Sequence, residues 1–180
     1  VLVDATHPFA ATISRNAALA AEATGVPLVA LVRPEWSPTV GDRWTRVPTV
    51  PAAATLLARR PGGRAMLTTG RQDAHAFAAL DDWWFLIRVV DAPSGPLPRR
   101  HELLHDRGPY TLGSERDLLR GNAIDVLMTK NSGGDLVSAK LAAARELGVE
   151  VVMVDRPARP AGVPAVATAA AAYAELAARA

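Results

Sequence analysis

The feature that most narrows the folds open to this chain is an alternation of short apolar runs with Ala- and Leu-rich helical stretches, joined by Gly and Pro turns. Pro27-Leu28-Val29-Ala30-Leu31-Val32 is apolar at every position, where a half-exposed strand would alternate. Such a run reads as a strand covered on both faces, the condition of a parallel sheet between helices. The order strand, turn, helix recurs along the chain and predicts an α/β fold with mainly parallel sheets. Val1 to Val3 is a strand ending at Asp4, and Pro8 suits the first turn of a helix, where its missing N–H has no partner to lose. That helix runs to about Thr24, with Gly25 at the left-handed cap position. Arg33-Pro34 ends the Pro27–Val32 strand, and a short strand follows at Trp44 to Val47.

Beyond it the pattern predicts a helix over 51–60, closed by Pro61-Gly62-Gly63, and a strand and turn over Ala65 to Gly70. A helix over Arg71 to Leu80 and an aromatic strand over Trp83 to Val90 come next. Glu102 to His105 reads as a short helix, Gly108 to Thr111 as a strand end, and Ser114 as the N-cap of a helix to Arg120. Ile124 to Met128 is a strand, 134–147 a helix capped by Gly148, and Val149 to Val154 the last strand. Thr168 caps a terminal Ala-rich helix. Pro48 and Pro51 flank a turn, which places a domain boundary there: residues 1–50 as the remainder of a first α/β domain, 51–180 as a second.

Composition removes several function classes. With 180 residues, 49% of them hydrophobic and 21% charged, the chain can build a core and is not disordered. No apolar run approaches the ~18 residues of a membrane helix. The absence of cysteine excludes disulfides, thiolate metal sites and cysteine nucleophiles. A net charge of +2 does not call for nucleic acid, and the arginines are scattered rather than clustered. The basic residues are uneven in kind: Lys130 and Lys140 are the only lysines among 20 cations, a bias that replaces Lys with Arg wherever Arg serves.

In open parallel sheets ligands sit beyond the carboxyl ends of the strands, so the loops there carry the candidates. Thr129-Lys130-Asn131-Ser132-Gly133-Gly134 offers two glycines for close backbone approach, a following helix N-terminus, and the Lys130 charge. It also reads as an ordinary capping loop, although a lysine kept in an arginine-rich chain favours anion binding. Thr68-Thr69-Gly70-Arg71 is a strand-turn-helix in which Arg71 can grip a carboxylate or phosphate, or simply a turn. Asp4-Ala5-Thr6-His7-Pro8 sets an acid, a hydroxyl and an imidazole at a strand end, for ligand contact or for helix capping. Arg88 and Arg156 stand near other strand ends. His101 and His105 lack the acidic support of a metal site and read as surface. The adjacent Trp83 and Trp84 point to opposite faces, so at most one is core. No Ser-His-Asp set or carboxylate pair stands out.

Asp4-Ala5-Thr6-His7-Pro8-Phe9-Ala10 with Ile13-Ser14 and Asn16-Ala17, then Thr69-Gly70-Arg71, Thr129 to Gly134, and Val152-Met153-Val154-Asp155-Arg156-Pro157 together resemble the precorrin-6A reductase family of cobalamin biosynthesis. The resemblance implies two Rossmann-like three-layer α/β/α domains, the first lacking its amino-terminal part here. It also implies a cytoplasmic, monomeric or weakly dimeric reductase that moves hydride from NADPH to a ring double bond of precorrin-6A, giving precorrin-6B. The substrate would be a large tetrapyrrole-derived ring rich in carboxylates, with no nucleic acid, membrane or metal required. On this reading His7 or Asp4 donates the proton. Thr6, Thr69, Gly70, Arg71, Lys130, Asn131, Ser132, Gly133 and Gly134 hold the cofactor, and Arg88, Arg156 and Arg15 the substrate. Family members open with a Gly-rich strand-turn-helix segment that this chain lacks, a piece of about 60 residues or two βαβ-scale units. A non-catalytic nucleotide- or anion-binding α/β module is the alternative.

Overall fold

The computed structural model describes residues 1–135 and 137–178. In chain order the elements are β1 (Leu2–Asp4), α1 (Ala11–Thr24), β2 (Leu28–Leu31), β3 (Trp44–Val47), α2 (Val50–Ala58), β4 (Gly63–Leu67) and β5 (Trp83–Val89). There follow β6 (His101–His105), α3 (Leu112–Gly121), β7 (Val126–Lys130), α4 (Ala139–Leu147), β8 (Glu150–Val154), β9 (Ala165–Val166) and α5 (Ala169–Ala177). The chain divides into two compact units. One is Val1–Trp36 with Ser132–Gly134 and the segment from Arg156 onward; the other is Ser37–Asn131 with Asp135–Asp155.

The first unit holds a three-stranded parallel sheet in the order β1-β2-β9, with Leu2 opposite Leu28 and Ala30 opposite Ala165. The all-apolar run of β2 has the burial it predicts at Leu28, Val29 and Ala30. Gly25 closes α1 at φ 66°, a left-handed conformation that costs glycine nothing. Thr168 caps α5 by accepting the Ala171 N–H at 3.1 Å.

The second unit is a six-stranded parallel sheet in the order β3-β8-β7-β4-β5-β6. From β4 the chain steps outward to β5 and β6, then reverses to β7 and β8 on the other side of β4. Because parallel crossovers are right-handed, this reversal puts α3 and α4 on the face opposite α2. The packing agrees: α3 lies against α4, while α2 lies against a 3₁₀ turn at Ala74–Phe77. Val126 to Thr129 and Val151 to Val154 are buried at every position, as strands covered on both faces must be.

Several sequence expectations are corrected. The boundary at 50/51 does not separate the units, because β3 pairs with β8 in the second sheet and the chain returns to the first at Arg156. The Pro48–Pro51 turn is instead the start of α2, where Thr49 accepts the Ala52 N–H at 3.2 Å. His101–His105 is a strand, paired in register with Phe85 to Val89; five residues are too few to repay helix nucleation, and the sheet edge takes them. Only Ala74–Phe77 of the helix expected over 71–80 is helical, as one 3₁₀ turn. The N-cap of α3 is Thr111, which forms a reciprocal capping box with Ser114. The helix expected over 134–147 begins at Ala139; Leu136 lies outside the described residues. Trp83 is core, and Trp84 is half-buried with the Arg64 guanidinium 3.6 Å above its ring.

Candidate functional site

The carboxyl ends of β1 and β2 open into a cavity of about 360 Å³ within the first unit. Its apolar wall is Leu28, Ala30, Leu31 and Val32; its polar groups come from the loop after β1, the first turn of α1, and the segment after β8. Asp4, the last residue of β1, accepts the Thr6 backbone N–H at 3.0 Å and the Thr6 hydroxyl at 2.7 Å. This Asx-type turn reverses the chain at the strand end. The Ser14 hydroxyl lies 3.3 Å from that of Thr6. Burial alone would raise the Asp4 pKa; hydrogen bonds from Ser14 and Thr6, with the field of Arg159, outweigh it and hold the carboxyl below its ordinary value. Asp4 is therefore a carboxylate at neutral pH and a poor proton donor.

His7 lies beyond that turn and lines the cavity. Its Nδ1 accepts the Phe9 N–H at 3.2 Å, so the neutral ring carries its proton on Nε2. The N-terminus of α1 starts at Ala11 without a side-chain cap and with no acidic residue in its own first turn.

Arg156, expected to hold substrate, lines the cavity and also bonds backbone. Its Nη1 donates to the Arg33 carbonyl at 2.8 Å, and its Nη2 to the carbonyls of Pro34 at 3.3 Å and Ser132 at 3.2 Å. Gly133 and Gly134 have φ of 67° and 82°. A Cβ at Gly133 would stand 2.0 Å from the Pro34 carbonyl oxygen and 2.5 Å from Arg156 Nη2. These glycines serve close packing against the end of β2, with the Trp36 indole donating to the Gly134 carbonyl at 2.9 Å. The expected anion loop flush with a helix N-terminus is not what forms, since α4 starts only at Ala139.

In the second unit the direction of strand addition reverses between β4 and β7, the kind of switch point where parallel sheets bind ligands. Thr69 is buried there, and its hydroxyl has no partner among the described residues. Gly70 has φ 97° and open space where a Cβ would be. Lys130 ends β7 in an ion pair with Asp73 at 2.5 Å, and Asn131 is buried with its N–H on the Val154 carbonyl. Arg71 is half-exposed, with Asp91 at 3.9 Å. Arg88 is not at a rim: it is buried, forked onto Glu115, and stacked 4.0 Å from the Tyr110 ring centre.

Asp4, Thr6, His7 and Arg156 thus line one cavity, while Arg15 is exposed on α1 and outside it. The cavity also contains Glu35 and Arg159, which the sequence reading passed over. Glu35 follows the Arg33-Pro34 stop of β2, so the strand-end rule that selected Asp4 would have selected it. Among the described residues no group of three or more His, Asp or Glu is placed to hold a metal ion, and no helix is long and apolar enough to cross a membrane.

Parallel sheets with helical crossovers and a polar-mouthed cavity at the carboxyl edge define a Rossmann-like α/β protein. Within that class the chain belongs to the Precorrin-6x reductase CbiJ/CobK family, whose model matches residues 1–177. It is 52% identical over 159 residues to a precorrin-6A reductase of Rhodococcus erythropolis, covering 88% of this chain and 64% of that protein. A cobalt-precorrin-6A reductase of Priestia megaterium is 33% identical over 168 residues, covering 87% of this chain and 65% of the relative. The solved structure of a CobK precorrin-6A reductase superposes with a TM-score of 0.91 at 42% identity, over 97% of this chain and 71% of that one. The chain spans just under two thirds of the length of these curated relatives.

Proposed function

We propose that this chain takes part in the reduction of precorrin-6A to precorrin-6B with NADPH as reductant, a step of cobalamin biosynthesis. The reading extends to a cytoplasmic site of action and a monomer or weak dimer. The observation that carries it is the cavity at the carboxyl ends of β1 and β2, built by the family motif Asp4 to Pro8 together with Ser14 and the Arg156–Pro160 segment. An identity of 52% to a precorrin-6A reductase, against 33% to a cobalt-precorrin-6A reductase, favours the metal-free ring as substrate.

The residues fit a nicotinamide nucleotide: an apolar wall suits a flat ring, and hydroxyls, an imidazole and cations can orient its polar groups. At about 360 Å³ the cavity suits one end of such a cofactor rather than a whole macrocycle. When bound, NADPH would supply the hydride. The chain's own residues then have distinct tasks. Leu28, Ala30, Leu31 and Val32 keep water from the reacting carbon. Reduction of a conjugated ring also consumes a proton, which His7 delivers from Nε2 when its ring is protonated to the imidazolium, on a loop fixed by Asp4. Arg159 supplies charge complementary to phosphate or to the carboxylates of the substrate, whereas Arg156 holds the loops that shape the cavity.

The test is to mix the purified protein with precorrin-6A and NADPH and to follow cofactor absorbance and ring product together. Stoichiometric NADPH oxidation with appearance of precorrin-6B is expected. A folded protein that oxidises no NADPH in the presence of precorrin-6A would leave the binding-module reading in its place.

A further inference from the structure

We infer that Asp4, Thr6 and Ser14 form an acceptor-only subsite, selecting a neutral hydrogen-bond donor on the ligand and rejecting phosphate or carboxylate. This narrows the expectation that Thr6 holds the cofactor to the cofactor's neutral donor groups. It rests on the reading of this cavity as the ligand site, and adds which ligand chemistry its floor accepts.

The hydroxyl protons of this cluster all point inward. Thr6 has one hydroxyl proton, and it goes to Asp4 Oδ1 at 2.7 Å. Ser14 Oγ lies 3.3 Å from Thr6 Oγ1. With the Thr6 proton already spent, a hydrogen bond across that gap must use the Ser14 proton. If Ser14 turns instead to the Asp4 carboxylate, which its hydroxyl also reaches, the same proton is again directed inward. Either arrangement leaves both hydroxyl oxygens offering lone pairs to the cavity they line. Asp4 contributes a charge and no proton, and its Oδ1 already binds the Thr6 N–H at 3.0 Å.

A phosphate or carboxylate brings acceptors alone and would meet like charge and like polarity here. A carboxamide N–H2 or a sugar hydroxyl brings the missing proton. Both donor types share this chemistry, and small probes separate them.

The experiment uses the ¹⁵N-labelled chain and follows the backbone signals of Thr6 and Ser14 by NMR during titration with nicotinamide, methyl nicotinate, D-ribose and inorganic phosphate. Nicotinamide and methyl nicotinate share a ring, but only the first has N–H donors. The expected result is a saturable shift with nicotinamide or with ribose, at least about tenfold weaker binding of methyl nicotinate than of nicotinamide where the ring binds, and a weaker response to phosphate, which Arg159 attracts and these acceptors do not. Preference for nicotinamide over the ester assigns the carboxamide; response to ribose alone assigns the sugar hydroxyl. Ser14→Ala removes one acceptor without touching the Asx turn and should weaken the responding probe severalfold. Asp4→Asn introduces an N–H2 that can donate to the hydroxyls, turn their protons outward, and strengthen the phosphate response. The inference is overturned if phosphate shifts the wild-type Thr6 and Ser14 signals as strongly as the donor probes do, if methyl nicotinate shifts them as strongly as nicotinamide does, or if no donor probe moves them. These readouts use no precorrin, so a failed turnover assay and a failed subsite are told apart.

Discussion

Lys140 gives the sharpest quantitative prediction about stability. It sits in the first turn of α4, buried among Arg88 of β5 and Glu115 of α3, with its Nζ donating to the Val137 carbonyl at 2.9 Å. Burial first, then the charge of Arg88, push its pKa down from 10.5 to about 8, against the pull of Glu115. That drop, at about 1.4 kcal/mol per tenfold change, amounts to roughly 3 kcal/mol of folded-state cost for keeping Lys140 charged. A lysine whose pKa falls on folding binds fewer protons in the folded state than in the unfolded one between the two values. Stability therefore rises with pH from about 8 toward 10.5, by up to about 1.4 kcal/mol per pH unit, and the full cost applies below that window. Tyr110, stacked on Arg88, has its pKa raised chiefly by burial, so its ionisation opposes folding only above about pH 10. Urea denaturation at pH 7, 8, 9 and 9.5 should show the rise, and Lys140→Met should flatten it while being no less stable than wild type at pH 7. A wild-type profile flat from pH 8 to 9.5, or a Lys140→Met variant losing more than about 2 kcal/mol at pH 7, would refute the reasoning.

Glu115→Gln leaves Arg88 and Lys140 buried without their carboxylate and should cost about 3–5 kcal/mol in chemical denaturation, part of it restored by adding Lys140→Met. Gly133→Ala and Gly25→Ala share a φ near 66° but differ in surroundings, since only at Gly133 does a Cβ strike backbone. Gly25→Ala should cost about 1–2 kcal/mol and Gly133→Ala clearly more, read as the difference in unfolding midpoint. His7→Ala should lower kcat of precorrin-6A reduction by about 10²–10⁴ with little change in KM, since the imidazole is assigned to proton delivery rather than binding.

The fold was legible where a local pattern had one physical meaning. Apolar runs at Leu28–Leu31, Val126–Met128 and Val151–Val154 became buried parallel strands, and Gly25 and Thr168 marked helix ends. It was not legible where pairing partners decide. His101–His105 carries too few residues to show a period, and its strand state comes from β5 beside it. β9 is two residues long, held in place by its pairing with β2. That β3 belongs with β8, and the chain from Arg156 with β1 and β2, are facts of sheet order that no nearby residue encodes. In the candidate site, strand-end position was enough to bring Asp4, Thr6 and His7 to one cavity. It did not show what holds Arg88 and Arg156, because Glu115 and the Arg33, Pro34 and Ser132 carbonyls that they bond are distant in sequence.

The two lysines of this arginine-rich chain differ in what their surroundings demand of them. Lys130, at a strand end, is the one that position favours, yet its half-buried ammonium is already matched one-to-one by Asp73, a pairing that a permanently charged guanidinium can also make. Lys140 is in the interior beside Arg88, where one cation is already matched to Glu115. A second guanidinium there could not shed its charge, since arginine stays protonated in proteins; lysine can, and a pKa near 8 places that release within reach. The physical requirement for lysine over arginine therefore lies at position 140. Lys140→Arg should be less stable than Lys140→Met at every pH, and its deficit against wild type should widen from pH 7 to pH 9.5 as the wild-type lysine discharges. A Lys140→Arg variant that tracks the wild-type stability curve across that range would show that the interior pays no penalty for the second permanent charge, and would remove the argument for lysine at this position.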